Sequence, residues 1–101
     1  MSAITLLVTY TAKPGCRQEF VSQVVHHGLR DAILQEDGFI AYDYYFSAQD
    51  ENQLLLVETW ESDAQQQAHT RHDNMARLRQ LKDTYLQDTK IHWLREEEHA
   101  L

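Results

Sequence analysis

The sequence predicts an α+β fold whose elements follow the order βαββαβ. Strand-like segments carry β-branched and aromatic residues that alternate between two faces, whereas helix-like segments repeat their apolar residues every three to five positions. Turn residues such as Pro, Gly and Asp separate these segments. With right-handed crossovers, this order gives a four-stranded antiparallel sheet with helices on one face, which is the ferredoxin-like arrangement.

The first strand is predicted over residues 3–11, where Thr, Val, Ile and Leu are frequent. One of its faces carries large side chains at alternate positions: Ile4, Leu6, Val8 and Tyr10. The turn Lys13-Pro14-Gly15 ends the strand, because proline fixes φ and glycine tolerates a positive φ.

A single amphipathic helix is predicted over residues 16–35, with Phe20, Val24 and Ile33 among its apolar positions. Gly28 lies inside this segment and is expected to destabilise the helix by about 1 kcal/mol relative to alanine. Gly38 is expected to follow the end of the helix, because a glycine commonly terminates helices there.

Two strands are predicted next, over residues 39–47 and 54–61, with a polar hairpin loop at 48–53. The first of the two is rich in aromatic residues, including Tyr42 and Tyr44. The second has one face that is apolar except for a single carboxylate: Leu54, Leu56, Glu58 and Trp60.

The strand at 54–61 runs directly into a helical region. Ser62 or Asp63 is expected to cap a helix that begins near Ala64. The polar segment 70–74 predicts a break into two helices, and Asp73 is the candidate cap of the second. A short final strand is predicted over residues 89–94, followed by an acidic tail at 96–101.

One domain is predicted for residues 1–101, with a core over about residues 3–95, because this length suits one hydrophobic core. Helices cover only one face of the predicted sheet. Leu55 and Val57 are apolar on the other face, and an exposed apolar patch usually marks an interface. The sequence therefore predicts a homodimer formed sheet face to sheet face.

Composition excludes several classes of protein. The formal net charge of -7 argues against nucleic acid as a partner, because phosphate binding needs clustered Lys and Arg. No apolar run approaches the length of a membrane span, so no membrane partner is expected. The single cysteine, Cys16, suits a reducing compartment, and no signal peptide is recognisable. We therefore expect a cytoplasmic protein.

Four sequence pieces, in order along the chain, carry a resemblance to a known family. They are Lys13-Pro14-Gly15 with Glu19-Phe20; Glu36-Asp37-Gly38-Phe39 with Tyr42; Glu58-Thr59-Trp60-Glu61-Ser62; and Ala64 with Ala68-His69. Together they cover about residues 3–95 and resemble the antibiotic biosynthesis monooxygenase (ABM) domain. The resemblance implies a dimeric α+β barrel and a small aromatic substrate. Within this family, the chain resembles small quinol monooxygenases that use no cofactor.

The same family includes heme-degrading enzymes and relatives that isomerise a phosphorylated autoinducer. Two departures narrow the resemblance. Family members often carry a second His five residues after the first, where this chain has Asn74; the nearest His is His72. The helical Trp and His of the heme-degrading branch correspond here to His69 and Arg79, so heme degradation is not expected.

A cofactor-free oxygenase needs a base that deprotonates an electron-rich quinol or enol, and a dry aromatic pocket for the resulting anion. His69 is the candidate base, since an imidazole ordinarily titrates near neutrality. Glu58 is the second candidate catalytic residue, either by holding the tautomer of His69 or by binding the substrate. Asn74 is the third, as a group that orients a substrate hydroxyl or carbonyl.

Trp60 and Tyr44 are the candidate walls that sandwich a planar ring, and Met75 is the third candidate substrate contact. Structural roles compete with each of these assignments. His69 could equally be a hydrogen-bonded structural histidine at a helix end, and Trp60 a core residue. Glu58 could equally accept hydrogen bonds from backbone N–H groups. Tyr44 fits sheet packing, and Asn74 fits a cap or a surface position.

No metal site is predicted. His69-Thr70-Arg71-His72 lacks the glutamate and the spacing of a zinc-binding helix, and the adjacent His26 and His27 point in different directions. Cys16 follows a turn at a helix start, a position that can lower the pKa of a thiol, but the sequence identifies no base for a nucleophilic cysteine.

Three functions therefore compete. The first is a cofactor-independent monooxygenase that oxidises a quinol-like or polyketide-like aromatic with dioxygen. The second is an isomerase or tautomerase of a small hydroxy-ketone, with or without a phosphate group, for which Arg71 and Arg77 are the nearest candidate phosphate ligands. The third is a non-catalytic small-molecule-binding module. An open pocket that His69 faces would favour the first two.

Overall fold

A computed structural model describes residues 3–95 of the chain. Four strands and four helices alternate in the order β1-α1-α2-β2-β3-α3-α4-β4, which confirms the ferredoxin-like α+β arrangement. Their bounds are β1 Ile4–Ala12, α1 Arg17–His26, α2 Leu29–Ile33, β2 Phe39–Phe46, β3 Gln53–Trp60, α3 Asp63–Thr70, α4 Asn74–Tyr85 and β4 Leu86–Arg95. The predicted acidic tail at 96–101 lies outside the described residues.

The four strands form one antiparallel sheet in the order β2-β3-β1-β4. Cross-strand partners point to the same face, so the register fixes which side chains meet. Glu58 on β3 lies opposite Leu6 on β1 and Tyr42 on β2. β1 and β3 alternate regularly between buried and half-buried residues, as the sequence pattern predicts, and the helices pack on the buried side.

The predicted helix over residues 16–35 is two helices, which corrects the expectation of one continuous element. Gly28 adopts a left-handed conformation with φ of 67°, so the helix cannot pass through it. The N–H of Gly28 donates to the carbonyl of Val25, which ends α1, and α2 begins at Leu29. Apolar periodicity continues across this break, since Phe20, Val24 and Ile33 are all buried, and it therefore conceals the turn.

The second helical region follows the prediction closely. Ser62 caps α3, and its Oγ accepts the N–H of Gln65 at 3.3 Å. α3 ends at Thr70 and α4 begins at Asn74, which confirms the predicted break. Asp73 makes no side-chain cap hydrogen bond; His72 Nδ1 instead accepts the N–H of Asn74 at 3.1 Å.

β4 begins three residues earlier than predicted. It starts at Leu86, which is buried and pairs with Ala12, and the register shifts there as the strand leaves α4. Gln87 and Asp88 mask this start in the sequence because they are polar and exposed. The longer strand places Thr89 and Ile91 beside the interior between sheet and helices.

No helix covers the second face of the sheet within residues 3–95. Leu7 and Val57 are directly opposed there and half-buried, while Tyr45 and Leu94 are 55% and 47% exposed. The molecule is only 18 Å thick along its shortest axis, in keeping with one sheet and one helical layer. No helix in this part of the chain is long and apolar enough to cross a membrane.

Candidate active site

A cavity of about 100 Å³ lies between the sheet and helices α3 and α4. Its floor consists of inward-facing side chains of β1, β2 and β3: Leu6, Val8, Tyr10, Tyr42 and Glu58. The helices and β4 supply the remaining walls: Gln66, His69, Thr70, Met75, Lys82, Thr89 and Ile91. The cavity thus brings a carboxyl, an imidazole, an amine and two phenols together in a largely apolar setting.

His69 is held by a carboxylate that is distant in sequence. Its Nδ1 lies 2.8 Å from Oε1 of Glu36, and the two side chains are only 3% and 6% exposed. With Glu36 ionised, Nδ1 carries the hydrogen and donates it, which leaves a lone pair on Nε2. Among the described residues Nε2 has no hydrogen-bond partner, and His69 lines the cavity. This is the tautomer that a general base requires.

Glu36 is itself fixed by the fold. Its second oxygen, Oε2, accepts a hydrogen bond from Asn74 Nδ2 at 3.0 Å. The backbone N–H of Glu36 donates to the carbonyl of Ile33, and the carbonyl of Glu36 accepts from the N–H of Phe39. Both hydrogen bonds fix the backbone of Glu36 in the turn between α2 and β2. A single carboxylate therefore joins the turn, α3 and α4.

Trp60 lies behind the histidine. The indole stacks on the His69 ring with a centroid distance of 4.6 Å and an interplanar angle of 29°. Its Nε1 donates to Oε1 of Glu58 at 2.9 Å. Tyr42 meets the same imidazole edge-on at 5.9 Å. These contacts leave His69 little freedom to rotate.

Glu58 and Lys82 are the two charged side chains of the cavity that burial perturbs. Burial raises the pKa of Glu58, although the hydrogen bond from Trp60 and the nearby charge of Lys82 oppose the rise. Burial likewise lowers the pKa of Lys82, and the charge of Glu58 opposes that change. Burial also raises the pKa of Tyr10 and Tyr42 well above 10, so both remain neutral phenols that can donate.

Three of the six residues that the sequence nominates line this cavity: His69, Glu58 and Met75. Glu58 makes no hydrogen bond to His69 in the described structure; the carboxylate on the imidazole belongs to Glu36. Glu58 therefore does not hold the tautomer of His69; it accepts a hydrogen bond from Trp60 and lines the cavity.

The other three nominated residues lie around the cavity and do not line it. Trp60 is fully buried and stacks on the imidazole, and Asn74 binds Glu36. Tyr44 packs edge-on against Phe20 and Tyr42, and its buried hydroxyl has no hydrogen-bond partner among the described residues.

Four residues of the site were not predicted from the sequence: Glu36, Lys82, Tyr10 and Tyr42. Signals existed for three of them. Tyr10 belongs to the alternating face of β1, and Tyr42 lies two residues before Tyr44 on the same strand face. Lys82 follows Met75 by seven residues, which is the same face of a helix. Glu36 lies in an irregular turn, where no periodicity gives its direction.

A larger depression of the surface, beside α1, lacks such a cluster. A groove of about 550 Å³ beside α1 is lined by Val21, Val25 and Phe46 among others, with His26 as its one ionisable group. Within residues 3–95, no three His, Cys, Asp or Glu side chains form a group that could hold a metal ion. His72 is exposed, as are His26 and His27.

Comparison with known families agrees with this fold and with the pieces of sequence around the site. The antibiotic biosynthesis monooxygenase family model matches residues 3–81. The chain belongs to this family. The matched region contains Glu36, Glu58 and His69, whereas β4 lies beyond it. Family membership gives a monooxygenase-like function as the coarse assignment.

Solved structures share the fold over nearly the whole chain. PA3566 from Pseudomonas aeruginosa is 24% identical, with a TM-score of 0.83 over 97% of both chains. A conserved protein from Methanosarcina mazei is 26% identical, with a TM-score of 0.83 over 96% of this chain and 95% of that one. A "putative antibiotic biosynthesis monooxygenase" from Deinococcus radiodurans is 19% identical, with a TM-score of 0.78 over 97% and 95%. No functionally curated protein matches the chain significantly.

Proposed function

We propose that the protein is a cofactor-independent monooxygenase that oxidises a small quinol-like aromatic with dioxygen. The observation that carries this proposal is the Glu36–His69 pair, whose imidazole lines the cavity with Nε2 unbonded among the described residues. A histidine held by a carboxylate through Nδ1 is the arrangement that makes Nε2 a general base.

The chemistry begins when Nε2 of His69 removes the proton of a substrate hydroxyl. The resulting anion transfers one electron to dioxygen, and the substrate radical then combines with superoxide to form a carbon–oxygen bond. The peroxide anion takes back the proton from His69 to give the hydroperoxide, which then loses water by giving up its OH together with the hydrogen of the same carbon. One oxygen atom of dioxygen thus enters the product as a carbonyl and the other leaves as water. The apolar walls keep the anion from bulk water, which favours electron transfer over reprotonation.

The size of the cavity limits the substrate. An apolar cavity of about 150 Å³ is sufficient for benzene in another protein, and this one measures about 100 Å³. A single ring that projects partly from the opening fits this space, whereas a fused polyketide does not. We therefore narrow the expected aromatic to one ring.

An isomerase or tautomerase of a small hydroxy-ketone is the second candidate function, because the same base and the same small volume suit it. The phosphorylated version of this substrate has less support. Arg71 and Arg77, the phosphate ligands that sequence position suggests, are exposed and do not line the cavity. Lys82 is the cation that does.

The proposal extends to assembly and location. We propose that the enzyme works as a homodimer through the uncovered sheet face, where Leu7, Leu55 and Val57 form an apolar surface. The lone Cys16 supports a cytoplasmic location, since disulfides are uncommon there.

Oxygen uptake by metal-stripped protein tests the proposed function. Single-ring hydroquinones are offered beside dihydroxynaphthalenes of greater width. We expect uptake above the spontaneous rate with single-ring substrates only, and a loss of about 10²- to 10⁴-fold in His69→Ala, the range that a general base contributes. His72→Ala is the matched control, since His72 is an exposed histidine three residues further on, and it should retain full activity.

Two results would count against this assignment. Uptake that survives His69→Ala would leave an enzyme without the proposed base. Absence of uptake with every quinol would remove the monooxygenase assignment, and proton exchange at the α-carbon of small hydroxy-ketones would then test the isomerase.

A further inference from the structure

Lys82 is a cation in an unusual place. It lies on the buried face of α4, seven residues after Met75, whereas Arg77 and Arg79 on the same helix are exposed. Its side chain lines the cavity, and its Nζ lies 5.2 Å from the centroid of the buried Tyr10 ring. Lys82 is half-buried, and a lysine that is partly withdrawn from solvent usually has a negative group that compensates its charge.

No carboxylate of the described chain provides that compensation directly. The two ion pairs within residues 3–95 join Arg30 to Asp43 and His69 to Glu36, and neither includes Lys82. Glu58 is near enough for its charge to affect Lys82, but the two do not form an ion pair. Among the described residues the ammonium therefore makes no ion pair, and its side chain lines the space in which a molecule would bind.

We propose that Lys82 binds the ionised hydroxyl oxygen of the ligand, and that the cavity therefore selects phenolates or enolates over their neutral acids. The proposal rests on the proposed function only in placing the ligand in the same cavity. It identifies the substrate class as acidic hydroxyl compounds, and it makes Lys82 the residue that determines this specificity.

The charges around the cavity explain why one lysine decides the preference. Glu58 on β3 and Glu36 behind His69 both disfavour a bound anion, as does the net charge of -7. Lys82 is the fixed cation on the cavity wall, and Arg79 lies further out on α4. In a partly desolvated site a close ammonium–oxyanion contact is far stronger than in water. Without Lys82, the remaining charges would favour the neutral ligand.

The neutral phenols complete the binding geometry. Tyr10 on β1 and Tyr42 on β2 keep their hydroxyl hydrogens, because burial raises the pKa of both. They are therefore available as donors to the same oxyanion, while His69 on α3 is available to take the proton.

The test is a spectroscopic titration of 4-nitrophenol, a one-ring phenol whose ionised form absorbs visible light. The pKa of the bound ligand is compared with that of the free ligand. We expect bound 4-nitrophenol to have a lowered pKa, by about one unit, which is a roughly tenfold preference for the phenolate. In Lys82→Met the pKa of the bound ligand should rise to or above the free value, and Lys82→Arg should retain the lowering.

Matched controls separate this effect from loss of structure. Arg77→Met removes one positive charge from the exposed face of α4 and should leave the ligand pKa unchanged from wild type. The proposal is wrong if Lys82→Met retains the lowered pKa, or if the wild-type protein binds no phenolate at all. His69→Ala should abolish oxygen uptake and leave the lowered pKa intact. A protein that lowers the pKa but consumes no oxygen would refute the monooxygenase and not the role of Lys82.

Discussion

Glu58 is a carboxyl group whose charge the folded state disfavours. It is 6% exposed, and one hydrogen bond from Trp60 does not offset the loss of hydration, so its pKa lies above the ordinary value of 4.5. Between 4.5 and the raised value, the folded protein therefore binds more protons than the unfolded chain. The free energy of unfolding must fall as pH rises through this window.

Glu58→Gln should remove this fall. Glutamine keeps an oxygen that can accept from Trp60 Nε1 but does not ionise, so the variant should gain stability relative to wild type as pH rises from 4.5 through the raised pKa. Below pH 4.5 the difference in unfolding free energy should be constant, because both side chains are then neutral. Urea unfolding across a pH series measures it. Glu61→Gln, at an exposed position, should follow wild type; equal slopes for both variants would contradict the perturbed carboxyl.

The pattern of a regular element placed His69 and Glu58 on the cavity wall, but a similar pattern also nominated Trp60, which does not line the cavity. His69 follows from the Ser62 cap and helical spacing, and Glu58 follows from strand alternation. Glu36 could not be found this way: it meets His69 across 33 positions of sequence, from a turn whose direction depends on Gly38. Pattern gives the face of a helix or strand but not the packing of one element on another.

At the scale of elements, the site depends on how closely the turn carrying Glu36 approaches the helix carrying His69. Gly38 ends this turn with φ of 79°, and a Cβ added there would lie 2.7 Å from Cβ of Gln65 in the first turn of α3. The close approach of these backbones is what lets Glu36 reach the imidazole. Gly28 has a similar φ of 67° but open space around it, with nothing within 4 Å.

The two glycines therefore form a matched pair. Gly28→Ala should destabilise the protein by about 1–2 kcal/mol, the cost of a left-handed residue with a side chain. Gly38→Ala should add roughly 1–3 kcal/mol of overpacking, because the helix backbone fixes the Gln65 Cβ. It should also lower activity by separating Glu36 from His69. Urea unfolding measures the destabilisation of both variants, and oxygen uptake measures the loss of activity in Gly38→Ala. Equal destabilisation by the two substitutions would show that the contact with Gln65 is unimportant.

The boundaries of helices could be predicted where polar residues mark a cap or a loop. They could not be predicted where the apolar repeat continues through the turn. The Ser62 cap and the break between α3 and α4 were predicted because polar residues interrupt the apolar repeat. The break at Gly28 was missed because Leu29 and Ile33 continue the repeat beyond it. A glycine inside a helical pattern thus specified a turn that periodicity did not reveal.

At the scale of the whole molecule, one face of the sheet has no covering layer in the described structure. The register aligns its apolar residues across three strands: Leu7 on β1, Leu55 and Val57 on β3, and Tyr45 on β2. Leu94 extends this surface onto β4 and is 47% exposed. A small two-layer domain buries a limited core, so covering this face would add materially to its stability.

We therefore expect wild-type protein at micromolar concentration to have twice the mass of the chain by light scattering. Val57→Asp should give the monomer mass, because the new carboxylate would lie unpaired at the centre of the interface. Val25→Asp is the matched control, since Val25 is 59% exposed on α1, away from this face, and it should remain dimeric. Leu94→Asp, at the exposed edge, provides a second variant if Val57→Asp fails to fold by circular dichroism. A monomeric wild-type protein, or a folded Val57→Asp that stays dimeric, would contradict the sheet-to-sheet dimer.

Because the cavity is built on the opposite face of the same strands, a folded monomeric variant would also show whether the base and Lys82 function without a partner.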